Sequence, residues 1–342
     1  MIIDPAFLGS LESNMRVLFD QKYSSLNEEA WWRVCTYEST SRSLKEIVYF
    51  SLETAKLHRG FKGGFKTFDE IRYLNTAVEN EYTQSGLELT EAELSDLDGN
   101  GVQSATKWIG EIGQLTAHHP QQMLANAILA NPLTYDGLSY FNAGHFTNGV
   151  DNVDGVYSND FTGAVTATNP GPLPIWNAAG TLTLDTAALN LTKAIAAIKQ
   201  LKTPTGYPRK LRVKALIVPP SQYGRAVQLV MGAFLPGAAV SGGGTADNKP
   251  LAASWGIGQP LAADELSSSF TGGSDTSYYL ATEFVGEEGA FIYSNRQPFA
   301  VRYNSGMTDA ELERADKLQW TCKGRNGLLP LHPYGLFRVQ AT

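Results

Sequence analysis

The sequence predicts an α+β fold, because strongly apolar strand-like segments and amphipathic helical segments follow one another along the chain. Residues 188–201 repeat apolar side chains at three- and four-residue steps, which is typical of one helix face. Residues 211–218 (LRVKALIV) form a nearly continuous apolar run, which favours a buried strand. Pro219 and Pro220 then begin a second helix. Helix, buried strand and helix in series indicate a mixed fold.

Composition supports a large globular chain with much uncharged surface. The 342 residues are 43% hydrophobic, enough for a sizeable core. Charged residues make up 18%, below the usual figure of about 25%. Because charges are depleted at interface cores, this surface suits protein–protein burial. A β-rich domain with many turns is the alternative, since the chain also holds 33 glycines.

Net charge and cysteine usage exclude several function classes. The formal charge of −7 argues against a protein that grips nucleic acid by its phosphates. The sequence contains no apolar run of about 18 residues, so no membrane partner is expected. The N-terminus lacks the basic and apolar regions of a signal peptide. Cys35 and Cys322 are predicted to be reduced, buried thiols of a cytosolic chain.

The N-terminal segment is predicted to be an arm that docks on something else. Phe7, Leu11, Met15, Leu18 and Phe19 recur at helical spacing, so one amphipathic helix is expected. A strand is expected after it, over residues 31–42. Early segments of this kind commonly need a partner surface, which makes Phe7 and Leu11 candidate contact residues between subunits.

Residues 44–90 are predicted to form a long extended hairpin. Their centre, RGFKGGFK, is basic, aromatic and rich in glycine, and glycines permit a tight reversal. Exposed phenylalanines on such a tip imply a partner surface. The candidate contact residues on this tip are Arg59, Phe61, Lys62, Phe65 and Lys66.

The segment that follows predicts a strand, an acidic turn and two helices. Residues 87–90 alternate like a strand, and residues 105–115 present an apolar face that includes Leu115. Pro120 is expected to end the first helix and to begin the second. The acidic turn at 96–101 begins like a calcium-binding loop, but Lys107 stands where such a loop needs a glutamate.

Known catalytic motifs are either absent from the sequence or interrupted by a residue that does not fit. The sequence contains no phosphate-binding glycine loop and no HExxH metal motif. The segment GLSYF resembles a nucleophile elbow, but Phe141 replaces its second glycine. An enzyme using Asp136 and His145 as acid and base is an alternative, since nine residues across a turn leave them free to meet. No catalytic, cofactor-binding or metal-binding residue is predicted, and no cofactor.

The order of these segments resembles the major head subunit of Mu-like phages and prophages, which has the HK97-type capsid fold. Four pieces carry the resemblance: DPAFLGSLESNMRVLFDQKYSS, SGLELTEAELSDLDGNG, NPLTYDG after the Pro120 helix, and LRVKALIVPPSQYGRAVQLV. The resemblance is spread along most of residues 1–232. It implies an N-terminal arm (1–43), an extended hairpin or E-loop (44–90), a peripheral domain with a spine helix (91–185), an axial domain (186–290) and return strands of the peripheral domain (291–342).

The resemblance implies a major capsid protein that assembles into the icosahedral head of a tailed phage. Its expected partners are copies of itself in pentamers and hexamers, scaffold, portal and decoration proteins, and packaged double-stranded DNA bound without sequence specificity. Its expected location is the virion, with assembly in the host cytoplasm. An encapsulin-like nanocompartment shell, which shares the fold, is the alternative within the structural class.

Overall fold

A computed structural model of the chain describes residues 5–25, 31–39, 45–51, 73–90, 100–166, 169–176, 182–232, 234–240, 244–247, 255–283, 289–303 and 317–340. The helices in chain order are α1 (Pro5–Ser25), α2 (Trp32–Cys35), α3 (Asn100–Ala130), α4 (Leu184–Lys199) and α5 (Pro220–Met231). The strands are β1 (Thr36–Ser39), β2 (Lys45–Ser51), β3 (Tyr73–Glu79), β4 (Glu81–Thr90), β5 (His145–Phe146), β6 (Val156–Tyr157), β7 (Asp160–Phe161), β8 (Arg212–Val218), β9 (Phe234–Val240), β10 (Gly244–Asp247), β11 (Leu261–Ala262), β12 (Ser277–Glu283), β13 (Phe291–Tyr303), β14 (Lys317–Pro330) and β15 (Leu336–Gln340).

A five-stranded mixed sheet forms the centre of the larger core, in the order β11-β8-β12-β15-β7. Helices α4 and α5 cover one face of this sheet, and the C-terminal half of α3 covers the other. Helix α4 begins at Leu184 and is capped by Thr183, whose hydroxyl accepts the backbone N–H of Thr186 at 3.2 Å. Because β8 is buried on both faces of the sheet, its sequence is a nearly continuous apolar run.

Strand β8 changes face in its middle, which the sequence does not reveal. Simple alternation predicts that Val213, Ala215 and Ile217 share one face. Instead, Val213 packs with α4 and α5, whereas Ala215 and Ile217 pack with α3. The register with β12 shifts at this point, since Ala281 pairs with Ala215 but Thr282 pairs with Val213. One extra residue in a strand reverses the alternation beyond it.

A second, four-stranded sheet has the order β1-β13-β14-β4 and packs against the two long helices. Its apolar side chains include Phe299, Val301 and Trp320, which meet Met15 and Phe19 of α1 and the N-terminal half of α3. The predicted N-terminal helix is therefore confirmed. The predicted strand at 31–42 is wrong in its first part: Trp31 and Trp32 are both buried in one cluster, and consecutive strand residues point to opposite faces. A helical turn, α2, precedes β1 instead.

Helix α3 runs unbroken for 31 residues with Pro120 inside it, so the predicted break is wrong. An internal proline costs a helix about 3 kcal/mol. Burial of apolar side chains on both sides of the proline offsets this cost. The buried side chains are Ile109 and Ile112 before the proline and Leu124 and Ile128 after it. Four such side chains contribute roughly 6–12 kcal/mol together, at about 1.5–3 kcal/mol each. Leu115, predicted on the apolar face, is 60% exposed.

The base of the predicted hairpin consists of β2 and β3, which pair antiparallel from Lys45↔Glu79 to Ser51↔Tyr73. Residues 81–90 do not continue that pairing, because β4 joins β14 along its whole length. Further along the chain, β9 and β10 form a second antiparallel hairpin. None of the described helices is both long and apolar enough for a membrane span. The domain boundaries stay predictions.

Candidate functional site: assembly surfaces and a buried histidine network

The predicted contact residues lie mostly outside the part of the chain that the structure describes. Phe7 and Leu11 belong to α1, but the described side chains of that helix do not include theirs. Arg59, Phe61, Lys62, Phe65 and Lys66 fall in 52–72, outside the described residues. The described parts of the proposed contact surfaces are therefore the arm helix α1 and the hairpin strands β2 and β3.

The arm helix α1 is tied to the spine helix α3 by close packing. Met15 and Phe19 are buried between the helix and the second sheet. At Gly113 of α3, an added Cβ would lie 3.0 Å from the Cβ of Lys22 and 3.4 Å from the carbonyl oxygen of Phe19. A side chain at this position would press on α1, so glycine favours the close approach of the two helices. The arm is positioned by its C-terminal half.

A groove of about 310 Å³ lies where α1 crosses β13. Its walls are formed by Arg16, Phe19 and Asp20 of the arm and by residues 300–302 of the strand. Two arginines and one carboxylate give the groove a mixed polar lining over an apolar floor.

The hairpin strand β3 crosses closely over β14. Val78 of β3 is buried in the larger core, and an added Cβ at Gly327 of β14 would lie 2.7 Å from the Cγ2 of Val78. Ile47 on the partner strand β2 is half exposed. The base of the hairpin is therefore anchored on the body of the subunit, whereas its outer strand offers an apolar side chain to solvent.

His145 and Asp136, the pair considered for catalysis, do meet. The Nδ1 of His145 lies 2.6 Å from the Oδ2 of Asp136, and its Nε2 lies 2.8 Å from the carbonyl oxygen of Tyr140. Each ring nitrogen therefore has an acceptor within hydrogen-bond distance. The His145 side chain is 0% exposed. Neither nitrogen is left to exchange a proton with a substrate, and the pair is structural.

The electrostatics of Asp136 fit an ionised carboxylate. Burial works to raise its pKa, but hydrogen bonds from His145, the Thr134 hydroxyl and the backbone N–H of Leu138 together lower the pKa below its ordinary value. The Thr134 hydroxyl donates at 2.5 Å and the Leu138 N–H at 3.1 Å. These bonds fix the turn that follows the spine helix.

Sequence reasoning missed Asn159, the centre of the same network. Its side-chain amide donates to the carbonyl oxygens of Tyr140 at 2.7 Å and Pro333 at 2.9 Å, and its Oδ1 accepts the N–H of Asn142 at 2.9 Å. The hydroxyl of Tyr140 donates to the carbonyl of His332. This network ties the loop after α3 to the C-terminal strands. Asn159 lies in a stretch rich in Asn and Gly that predicts surface loop, and no spacing marks it out.

Both cysteines are free and buried, as predicted. Burial raises the pKa of each thiol, Cys35 and Cys322, to about 12. Thiols of this kind are inert, because the thiolate is the reactive form. Among the described residues, no three His, Cys, Asp or Glu side chains are grouped so as to hold a metal ion.

Residues 145–339 match the family model described as phage capsid protein, which covers more than half of the chain. The chain belongs to the phage capsid protein family. The match begins at His145 and extends to the last strand of the central sheet, so it includes the larger core. No curated protein sequence matches the chain.

Solved capsid structures share its fold at low sequence identity. The mature capsid of bacteriophage PhiM1 superposes with a TM-score of 0.51 at 9% identity, covering 92% of this chain and 87% of that chain. The procapsid of bacteriophage JBD30 gives 0.50 at 10% identity, covering 99% of this chain and 77% of that chain. The predicted α+β, HK97-type capsid fold is confirmed, and so is the prediction of a major capsid protein that forms a phage head shell.

Proposed function

We propose that this capsid protein closes into an icosahedral head of pentamers and hexamers around double-stranded DNA, in a phage of the Mu-like type. The observation that carries the proposal is the family match across the larger core, in a chain that also contains an arm helix and an antiparallel hairpin base. Contacts between unlike patches close into rings when the rotation closes, which suits capsomers.

The arm and the hairpin tip are the proposed contacts between subunits. The residues concerned are Phe7, Leu11, Arg59, Phe61, Lys62, Phe65 and Lys66. The docking of α1 on α3 through Phe19 and Gly113 supports this, because it fixes the base from which the arm starts. Each contact is modest, but many per subunit make assembly cooperative through effective concentration.

Scaffold, portal and decoration proteins are the further partners, with assembly in the host cytoplasm. The net charge of −7 supports a container that holds DNA without gripping it, since tight phosphate binding would hinder spooling. Strong, salt-sensitive DNA binding by the purified subunit would contradict this part of the proposal.

The subunit is proposed to have no enzymatic activity. The paired and fully buried His145 supports this, because general acid–base catalysis needs a group within reach of the substrate. The family match favours the phage head over the nanocompartment shell that was the alternative.

Negative-stain electron microscopy of the purified chain tests the proposal. Uniform hollow shells, or rings of five and six subunits, are the expected result, with and without co-expressed scaffold. A small monomer that persists at high concentration, also after scaffold is added, would overturn it.

A further inference from the structure

Positive charge is concentrated in one part of this acidic chain. Residues 186–246 contain eight lysines and arginines and no aspartate or glutamate, whereas the whole chain has 34 acidic residues in 342. Five of the eight are exposed and lie where α4 ends, connects to β8 and β8 begins, here called the basic turn (residues 199–214). These five are Lys199, Lys202, Lys210, Arg212 and Lys214.

The basic turn has a fixed shape. The backbone N–H of Arg209 donates to the carbonyl oxygen of Leu201 at 2.8 Å, so the two arms of the turn run side by side. Nearer the tip, the N–H of Thr203 donates to the carbonyl oxygen of Tyr207 at 2.8 Å. The Cζ of the buried Arg209 lies 3.9 Å from the ring centroid of Tyr334, which anchors the turn on the larger core. A surface that is already ordered loses less entropy when a partner binds.

The cations of both arms border the same short segment that precedes β11. On one arm, the Nζ of Lys199 lies 4.5 Å from the centroid of the Trp255 ring. On the other arm, the guanidinium of Arg212 donates to the carbonyl oxygen of Gly256 at 3.3 Å. Lys214 follows two residues later in β8, so its side chain points to the same face of the strand as that of Arg212. The charges therefore lie together on one part of the surface.

These charges are left without a carboxylate partner. None of the five cations forms an ion pair within the part of the chain that the structure describes. Glu283 pairs with Arg212 across the ladder of β8 and β12, so the four lysines are the charges that remain for a partner. The C-terminal end of α4 favours a cation at Lys199, but that effect explains only one of the four.

Four exposed lysines on a fixed turn suit a backbone of phosphates. The lysine ammonium is a compact point charge that binds phosphate, whereas lysine is depleted at interfaces between proteins. We infer that the basic turn contacts the phosphate backbone of double-stranded DNA, without sequence preference, because phosphate contacts carry no sequence information. This inference rests on the proposed function, in which the shell encloses DNA.

The number of lysines sets the strength of the contact. Each neutralised phosphate adds about −0.9 to the slope of log K against log salt concentration, so four contacts give a slope of about −3.6. A single subunit should therefore bind at the weak end of non-specific affinity, with a Kd of about 10⁻⁴ M at physiological salt. A wall built of such subunits touches the DNA at many points without gripping it.

Fluorescence anisotropy of a short labelled duplex, titrated with the unassembled subunit at several salt concentrations, tests the inference. The unchanged chain should give the slope of about −3.6. Lys202→Gln with Lys210→Gln should flatten the slope to about −1.8, since two phosphate contacts are lost. A slope flatter than about −1 for the unchanged chain would overturn the inference.

The matched control is Lys107→Gln with Arg302→Gln, which removes two exposed cations elsewhere on the subunit and lowers the net charge equally. Its slope should stay that of the unchanged chain. Equal flattening in the control would overturn the inference, because net charge and not the basic turn would then govern binding. Lys202→Arg with Lys210→Arg should keep the slope, since the charges remain.

A competing polyanion decides which class of partner fits the basic turn. Poly-L-glutamate, added at an equal concentration of negative groups, should displace the labelled duplex less than unlabelled duplex does. Stronger displacement by poly-L-glutamate would overturn the inference and assign the basic turn to an acidic protein segment.

Intact shells separate this inference from the proposed function. Acetylation of Lys202 should be slower in shells that contain DNA than in shells emptied of it, whereas Lys107 should react equally in both. If the unchanged chain forms no shell, the proposed function fails, but the anisotropy of the unassembled subunit still measures the basic turn. If shells form and Lys202 reacts equally fast with and without DNA, only this inference fails.

Discussion

At the scale of single residues, the His145–Asp136 pair decides between catalysis and structure. Removing the partner of a buried, ionised carboxylate leaves that charge uncompensated and costs about 3–5 kcal/mol. We expect His145→Ala to lower the free energy of unfolding of the unassembled subunit by about that amount, measured by urea denaturation. The exposed His118 of α3 supplies the control, since His118→Ala should change the free energy of unfolding by less than about 0.5 kcal/mol. An unchanged midpoint for His145→Ala would contradict the structural role.

Asp136 also predicts how stability depends on pH. Its pKa is lower in the folded subunit than the ordinary value, because its hydrogen bonds outweigh the effect of burial. A lowered pKa stabilises the fold above the unfolded-state pKa of about 3.9, and that stabilisation is lost as pH falls through the folded value. We expect Asp136→Asn to flatten the fall of the urea midpoint between pH 5 and pH 2, relative to the unchanged chain. Parallel curves for the two proteins would refute this.

The contact between His145 and Asp136 can be predicted from the sequence, but the hydrogen bonds that surround it cannot. Nine residues across a turn allow His145 and Asp136 to meet, and they do. Two acceptors of the Asn159 amide, the carbonyl oxygens of Pro333 and Leu336, lie more than 170 positions away in the sequence. Local spacing carries no information about such partners, because they are brought together by the central sheet.

At the scale of elements, α3 shows that burial of an apolar helix face can outweigh the tendency of proline to end a helix. The proline lacks the N–H that would bond the carbonyl four residues earlier, and α3 continues nonetheless. We expect Pro120→Ala to raise the free energy of unfolding by about 1 kcal/mol, the restored helical bond being partly offset by lost packing of the ring. Urea denaturation measures it. Gln114→Pro, at an exposed position in the same helix, should instead lower the free energy by about 3 kcal/mol.

A loss of stability in Pro120→Ala comparable to a core truncation would mean that packing of the buried ring, and not the missing backbone hydrogen bond, dominates the stability at this site.

The sequence predicts elements better than it predicts how they pack. Helix type and strand type were predictable for α1, α4 and β8, because apolar periodicity is a local property. The continuity of α3 and the face change in β8 were not, since both depend on what packs against them.

At the scale of the whole molecule, α3 joins two hydrophobic clusters. Its N-terminal half packs with α1 and the four-stranded sheet, and its C-terminal half packs under the central sheet. Strand β13 does the same, since Phe291 belongs to one cluster and Phe299 to the other. The order of elements along the sequence was enough to predict the fold family. The coupling of the two clusters through α3 and β13 follows from the packing alone.

The coupling predicts that the subunit unfolds as one unit. Trp320 is buried in the cluster of the four-stranded sheet, and truncating such a side chain costs about 3–5 kcal/mol. Trp320→Ala should therefore speed amide hydrogen exchange in β14 and, equally, in β8 of the distant central sheet, because the most protected amides exchange through global opening. Tyr37→Ala, at an exposed position of the same four-stranded sheet, should leave both strands protected. Faster exchange confined to β14 and α1 would show that α3 does not transmit the loss, and the arm side of the subunit would then be free to open without disturbing the rest of the shell.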